Sequence, residues 1–351
     1  MKHAVDTSSA AKFKTRDHAV DNLKGVLIIL VILGHGGVLT AFKSPALNFV
    51  QEYIYLFHMP LFFGLSALFI KSFSWQYFLR RFLQLMVPFY FFVILDPVHI
   101  IFRILRPASA VVPLLFHLNF LDVIKTVFIG SGFYLQSALW FLPTLFLCDI
   151  LFSVVYKYRF NKMIVLVSGV IFYAVLFLAK QIQAQHEHIP YGIDITIYIA
   201  PLLFLLHYIY KNKSRLLKYS AIVYVAGIIL SSFLILYLIP EETQSGISRR
   251  FDLAQFYVPA TLSGYALICT LSVCIFLLFL YIDRVTIFSR IGLYTLPIFL
   301  FHIYPWFNGL QYLPPALFLL ISVVGDVLIG IGLSKLLIKL SPKFSWIGMV
   351  A

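Results

Sequence analysis

Charge is scarce in this chain. Asp, Glu, Lys and Arg make up 12% of its 351 residues, against about 25% in a typical soluble domain, which excludes an ordinary water-facing globular fold. Acidic residues are scarcer still, 14 against 27 Lys and Arg. Cysteine is nearly absent. Cys148, Cys269 and Cys274 all fall inside apolar runs without metal-ligand spacing, which leaves them a reduced packing role and excludes a disulfide scaffold or a zinc centre. There is no Gly/Ser linker, no low-complexity tract and no appended hydrophilic module. No small-residue cleavage site follows the first apolar run, so it reads as a retained helix and not as a signal peptide. Short alternating apolar segments are also missing, which excludes a transmembrane β-barrel.

What the chain does have is hydrophobicity, 61% of its residues, gathered into continuous runs such as Ala221 to Ile239 and Leu262 to Ile282. Runs of more than about 18 apolar residues read as membrane helices, because a backbone in lipid must close its hydrogen bonds within the segment. The expected fold is all-α, a polytopic transmembrane bundle of ten helices over 22–42, 49–70, 82–104, 135–156, 162–180, 193–210, 216–239, 254–282, 291–310 and 314–338. Residues 1–21 read as a disordered cytoplasmic segment, 22–340 as one membrane domain and 341–351 as a cytoplasmic tail. The stretch from Leu105 to Tyr134 is too apolar for a solvated linker and is expected to form short interfacial or re-entrant helices. With the N-terminus in the cytoplasm, twenty of the 27 basic residues fall on that side, which puts both termini inside. The net charge of +13 then needs only anionic lipid as its partner and says nothing for nucleic acid.

Lys24 and His35 lie eleven residues apart in the first span. Eleven helical steps make three turns plus about 20°, so the two side chains share one face about 16 Å apart. Ionisable groups inside a membrane cost on the order of 3 kcal/mol and usually face a protein interior, which makes His35 a site candidate on physical grounds alone. Lys24 is either its functional neighbour or a snorkelling anchor at the rim. His58 precedes Pro60, so it either serves the chemistry or bonds a carbonyl that the proline frees. His302, near the middle of the ninth span, is either a second polar group of the site or an interhelical hydrogen bond. Asp96, Asp149 and Asp326 are carboxylates in or near spans with no partner assigned, and His99, His186, His188 and His207 lie near span edges, where solvated histidine is the default.

Three segments carry the chemistry: Asp21-Asn22-Leu23-Lys24 leading to His35, Tyr55-Leu56-Phe57-His58-Met59-Pro60-Leu61-Phe62-Phe63, and Gly292 to His302. Together with Trp140-Phe141-Leu142-Pro143 they resemble the integral-membrane acyltransferase family 3, the ten-helix enzymes that O-acylate sugars, and within it the fucose 4-O-acetylase-like branch. The likeness spans about residues 21 to 310 and includes a basic residue and a His separated by ten residues, which Lys24 and His35 supply. Family members commonly carry Arg-x-x-Arg before the third helix, where the second Arg is thought to meet acyl-CoA. Here Arg80 and Arg81 are followed by Gln84, a neutral amide that cannot form the charged fork of a guanidinium.

The resemblance implies transfer of an acetyl group from cytoplasmic acetyl-CoA, without a metal, to a hydroxyl of a cell-envelope or lipid-linked glycan at a bacterial inner membrane. Such a reaction needs a base for the hydroxyl proton and cations for the CoA phosphates. His35 is the expected base, with His302 and His58 as further candidates and Lys24, Arg80 and Arg81 as the phosphate-binding cations. Two readings of other classes stand beside it. A transporter or glycan flippase would also use ten helices with midplane polar groups, although no two halves show matching Gly/Pro interruptions. A non-catalytic scaffold would leave the aligned Lys24 and His35 without purpose.

Overall fold

The computed structural model describes residues 17–34, 44–92, 138–158, 169–178, 190–239, 242–244, 247–249, 251, 253, 258–282, 285–302 and 312–340. Helix α1 spans His18–Gly34 and α2 spans Pro45–Ala67. Helix α3 covers Trp75–Arg81 and runs through a π-helical turn, Phe82–Met86, to residue 92. Helix α4 is Phe141–Lys157, α5 Gly169–Leu178, α6 Ile193–Lys211, α7 Lys213–Leu216, α8 Ala221–Leu238 and α9 Leu262–Ile282. Helix α10, Thr286–Ile291, passes through the 3-10 turn Gly292–Tyr294 into α11, Thr295–Phe301, and α12 is Pro315–Leu340. A short antiparallel hairpin pairs Glu242–Gln244 with Ile247–Arg249 and is an addition to the all-α reading. His35, Asp96, His99, His186, His188 and the stretch from Leu105 to Tyr134 lie outside the described residues.

Each expected span contains helix, and four of the described helices are long and apolar enough to cross a membrane: Ile193–Lys211, Ala221–Leu238, Leu262–Ile282 and Pro315–Leu336. Helix α1 starts four residues earlier than expected. Asp17 caps it, its Oδ1 accepting from the amides of Ala19 at 3.2 Å and Val20 at 3.4 Å, which satisfies donors that a helix start otherwise leaves open. The ninth span is broken by its 3-10 turn. Pro297 then sits in the first turn of α11, where an amide hydrogen has no intrahelical acceptor to lose. Within α6, Pro201 disturbs the ladder, and the amide of Leu202 is taken up by the Tyr265 hydroxyl of α9 at 3.2 Å.

Polarity is inverted relative to a soluble bundle. On α8 the buried residues are Tyr224, Ser231 and Ile235, while Ile222, Ile229, Leu230, Phe233 and Tyr237 are exposed. On α12 Ser322, Asp326 and Ser334 face inward and Leu320, Val324, Leu328 and Leu336 face outward. Helices sort this way when the surrounding medium is lipid, since apolar side chains lose nothing by facing it and polar ones must face protein. This is a helical membrane protein.

The helix ends that the basic residues assign to one side come together. Asp17 ahead of α1 bonds Tyr210 near the end of α6 and Lys213 at the start of α7, the His207 ring of α6 bonds the Ala67 carbonyl at the end of α2, and the Phe73 amide before α3 bonds Ser153 near the end of α4. We refer to this as the basic end of the bundle.

Candidate active site

At the basic end Lys24 is drawn inward and does not reach out to lipid. Its side chain is 12% exposed, with Nζ 4.0 Å from Asp21 Oδ1 and 5.4 Å from the centre of the Phe69 ring, a cation over an aromatic face. Phe69 packs edge-on to Tyr210, whose hydroxyl donates to Asp17 Oδ2 at 2.7 Å, while Lys213 Nζ bonds the same oxygen at 2.5 Å. Burial pushes the Asp17 carboxyl up, but the Lys213 and Tyr210 hydrogen bonds and the Lys213 charge outweigh it and leave the group below its usual range. The result is a rim of fixed cations anchored by carboxylates.

Arg81 and Asp149 form a buried ion pair. The guanidinium donates Nε to Asp149 Oδ2 at 2.7 Å, adds Nη2 to the same oxygen, and gives Nη1 to Gln84 Oε1 at 3.0 Å. Asp149 is fully buried and Arg81 is 14% exposed. Gln84 therefore acts as an acceptor, which an Arg at that position could not be. It lies in the π-helical turn, a distortion that recurs at functional sites. Among the described residues three of the five guanidinium N–H groups are committed in this way, which leaves two for another partner. Arg80, the neighbour, is exposed. The sequence reading left Asp149 without a partner, and the buried pair corrects it.

Deeper in the bundle His58 is fully buried, its Nδ1 donating to Ile54 O at 2.7 Å. That is not the Leu56 carbonyl that Pro60 frees, so the ring does not repair the proline. Because a carbonyl only accepts, Nδ1 carries a proton. Tyr55 packs edge-on to His58, ring centres 5.1 Å apart, and donates its hydroxyl to Gly34 O at 3.1 Å. Gln51 Nε2 donates to the same oxygen at 2.7 Å. The last described residue before His35 is thus pinned to α2 one turn from His58. His302, also buried, donates Nδ1 to Phe299 O at 2.6 Å.

The motif segments converge. A chain of rings joins Phe63 of α2 to Phe141 of α4 at 4.9 Å, Phe141 to Phe299 of α11 at 5.1 Å, and Phe299 to His302 at 5.3 Å. Trp140 lies against Phe63 at 6.1 Å and is buried, a core aromatic. At the basic end α1 and the Thr286 to Tyr294 segment cross backbone to backbone. A Cβ on Gly25 would lie 2.0 Å from Phe288 O, and one on Gly292 would lie 2.0 Å from Asp21 O, so only glycine fits at either point. A family model described as an acyltransferase domain matches residues 17–335, an extent that takes in all of these segments. The chain belongs to that family, acyltransferase family 3. Over 63 residues the chain is 41% identical to the nodulation protein NolL of Sinorhizobium fredii (strain NBRC 101917 / NGR234), a stretch that covers 17% of either chain. No solved structure matches it.

Sequence reasoning misplaced one histidine of the chain. His207 was expected in solvent near a span edge, but it is buried, bonds Ala67 O at 2.9 Å and packs on Phe152 with ring centres 5.3 Å apart. Position along a helix gives depth in the membrane; it does not give the face. The partnership of Arg81 with Asp149 was missed as well. The signal for it was chemical, because a carboxylate inside an apolar helix calls for a cation within reach.

Proposed function

We propose that this acyltransferase moves an acetyl group from cytoplasmic acetyl-CoA to a hydroxyl of a cell-envelope or lipid-linked glycan in the bacterial inner membrane. The observation that carries the reading is the meeting of the motif segments around buried imidazoles, with cations gathered at the basic end. In this reading Lys24, Arg80 and the two uncommitted N–H groups of Arg81 meet the CoA phosphates, and the pantetheine arm extends along α1 towards His35. His35 takes the proton from the acceptor hydroxyl as its oxygen attacks the thioester carbonyl. The C–S bond then breaks and the imidazolium returns that proton to the departing sulfur, so nothing is oxidised and no metal is needed. His302 orients the base or the acceptor, and His58 supports the wall beside them. Membership of an acyltransferase family tells against the transporter and flippase reading.

The test is the mass of envelope glycan from cells with and without the gene, and from cells expressing His35→Ala. An acetyl-sized increment present only with the parental gene is the expected result. An increment that persists with membrane-inserted His35→Ala would remove His35 as the base, and no increment in any strain would remove the acceptor class.

A further inference from the structure

Helix α12 carries polar residues at a four-residue interval along its inward face: Ser322, Asp326, then Ser334 beyond Gly330. Asp326 is 7% exposed and, among the described residues, its Oδ1 has no hydrogen-bond partner. A carboxylate inside a membrane helix costs on the order of 3 kcal/mol, too much for a group kept only to fill space. The crossing of α12 with α11 is unusually close. A Cβ on Gly330 would lie 2.6 Å from the Cα of Ile298, so the two backbones touch there. Arg290 lies ahead of α11, and Lys335 and Lys339 lie at the end of α12, so basic ends on a common side require the helices to run in opposite directions. Four residues on from Ile298 is His302, and four back from Gly330 is Asp326. Each lies about 6 Å along its axis from the crossing, in the same direction, which brings them to one level.

We propose that Asp326 is the carboxylate that positions the imidazole of His302 for acyl transfer. The inference rests on the function proposed above. The Nδ1 proton of His302 is committed to Phe299 O, which turns Nε2 to the working side of the ring. A carboxylate at that level on the neighbouring helix is placed to accept from Nε2 when that nitrogen carries a proton, which holds the ring in one orientation beside the base or the acceptor.

The full chain in detergent is assayed with radiolabelled acetyl-CoA and isolated envelope polysaccharide, as parent, His302→Ala, Asp326→Asn and the double variant. Asp326→Asn is expected to lower kcat about 100-fold with the KM for acetyl-CoA unchanged, the cost of misplacing a catalytic group. The double variant should be no slower than the slower single one. Multiplying effects, or parental kcat in Asp326→Asn, would overturn the pairing. Thermal midpoints of the same proteins give a second reading that needs no turnover: non-additive losses support the pair and additive losses overturn it. If the parent transfers no acetyl group, the proposed function fails while the midpoints still decide the pair.

Discussion

Replacing Asp149 by Ala would strand a guanidinium. Arg81 gives two of its N–H groups to Asp149 and one to Gln84, and the carboxylate is fully buried. Losing one member of a buried pair costs about 3–5 kcal/mol, because the remaining charge stays desolvated without a counter-charge. Removing both is different. Arg81→Met with Asp149→Leu keeps the volume, takes both charges out of the interior and should recover most of the loss. The assay is the thermal midpoint of detergent-solubilised protein for the parent, each single variant and the pair. An Asp149→Ala protein as stable as the parent, or a double variant no better than Asp149→Ala, would refute the reasoning. The same proteins test the site. If Arg81 offers its remaining N–H groups to CoA phosphate, the stable double variant should show a raised KM for acetyl-CoA with kcat little changed.

Three further outcomes follow from other contacts. Gly25→Ala and Gly292→Ala each place a methyl group 2.0 Å from a backbone oxygen, so the crossing of α1 with the Thr286 to Tyr294 segment must open by more than about 1 Å; both should lower the thermal midpoint by an overpacking cost of about 1–3 kcal/mol or more, and midpoints equal to the parent would refute the crossing. Gln51→Leu combined with Tyr55→Phe removes both side-chain donors from Gly34 O, which should cost about 1–3 kcal/mol and lower kcat while sparing the KM for acetyl-CoA, whereas an unchanged kcat would show that this pin does not position His35. The Asp17 clamp to Lys213 and Tyr210 should stabilise the protein above the ordinary aspartate pKa of about 3.9 and fade as pH falls below it towards the depressed folded value, so the midpoint difference between parent and Asp17→Asn should shrink in acid; a difference that persisted there would contradict the assignment.

Hydropathy located the helices because membrane burial is a property of whole segments, and Ala221 to Ile239 or Leu262 to Ile282 admit no other reading. It failed where local hydrogen bonding decides the outcome. The start of α1 depends on one carboxylate, Asp17, reaching two amides, and that residue lies in a polar stretch that an apolar window discards. The break at Gly292–Tyr294 was hidden in the same way, since the run stays apolar across it. Within the candidate site, the motif segments could be picked out because each is a contiguous run that resembles a known family. Arg81 and Asp149 are separated by 68 residues, and no local pattern joins them.

Burial on α12 separates Asp326 from its neighbours more sharply than composition does. In water a helix hides its leucines, and a lone aspartate among them would be the anomaly. In lipid the leucines are free to face out, so the side turned inward is the side that carries Ser322, Asp326 and Ser334, and Gly330 brings that side against α11. The crossing that needs Gly330 and the one that needs Gly25 and Gly292 both involve the continuous segment from Thr286 to His302. That segment is held against α1 at one end and α12 at the other, with a 3-10 turn between them. A histidine at the end of a segment fixed at two points by backbone contact has little freedom to drift. That is the condition under which one further polar contact, from the helix it already touches, can set the orientation of its ring.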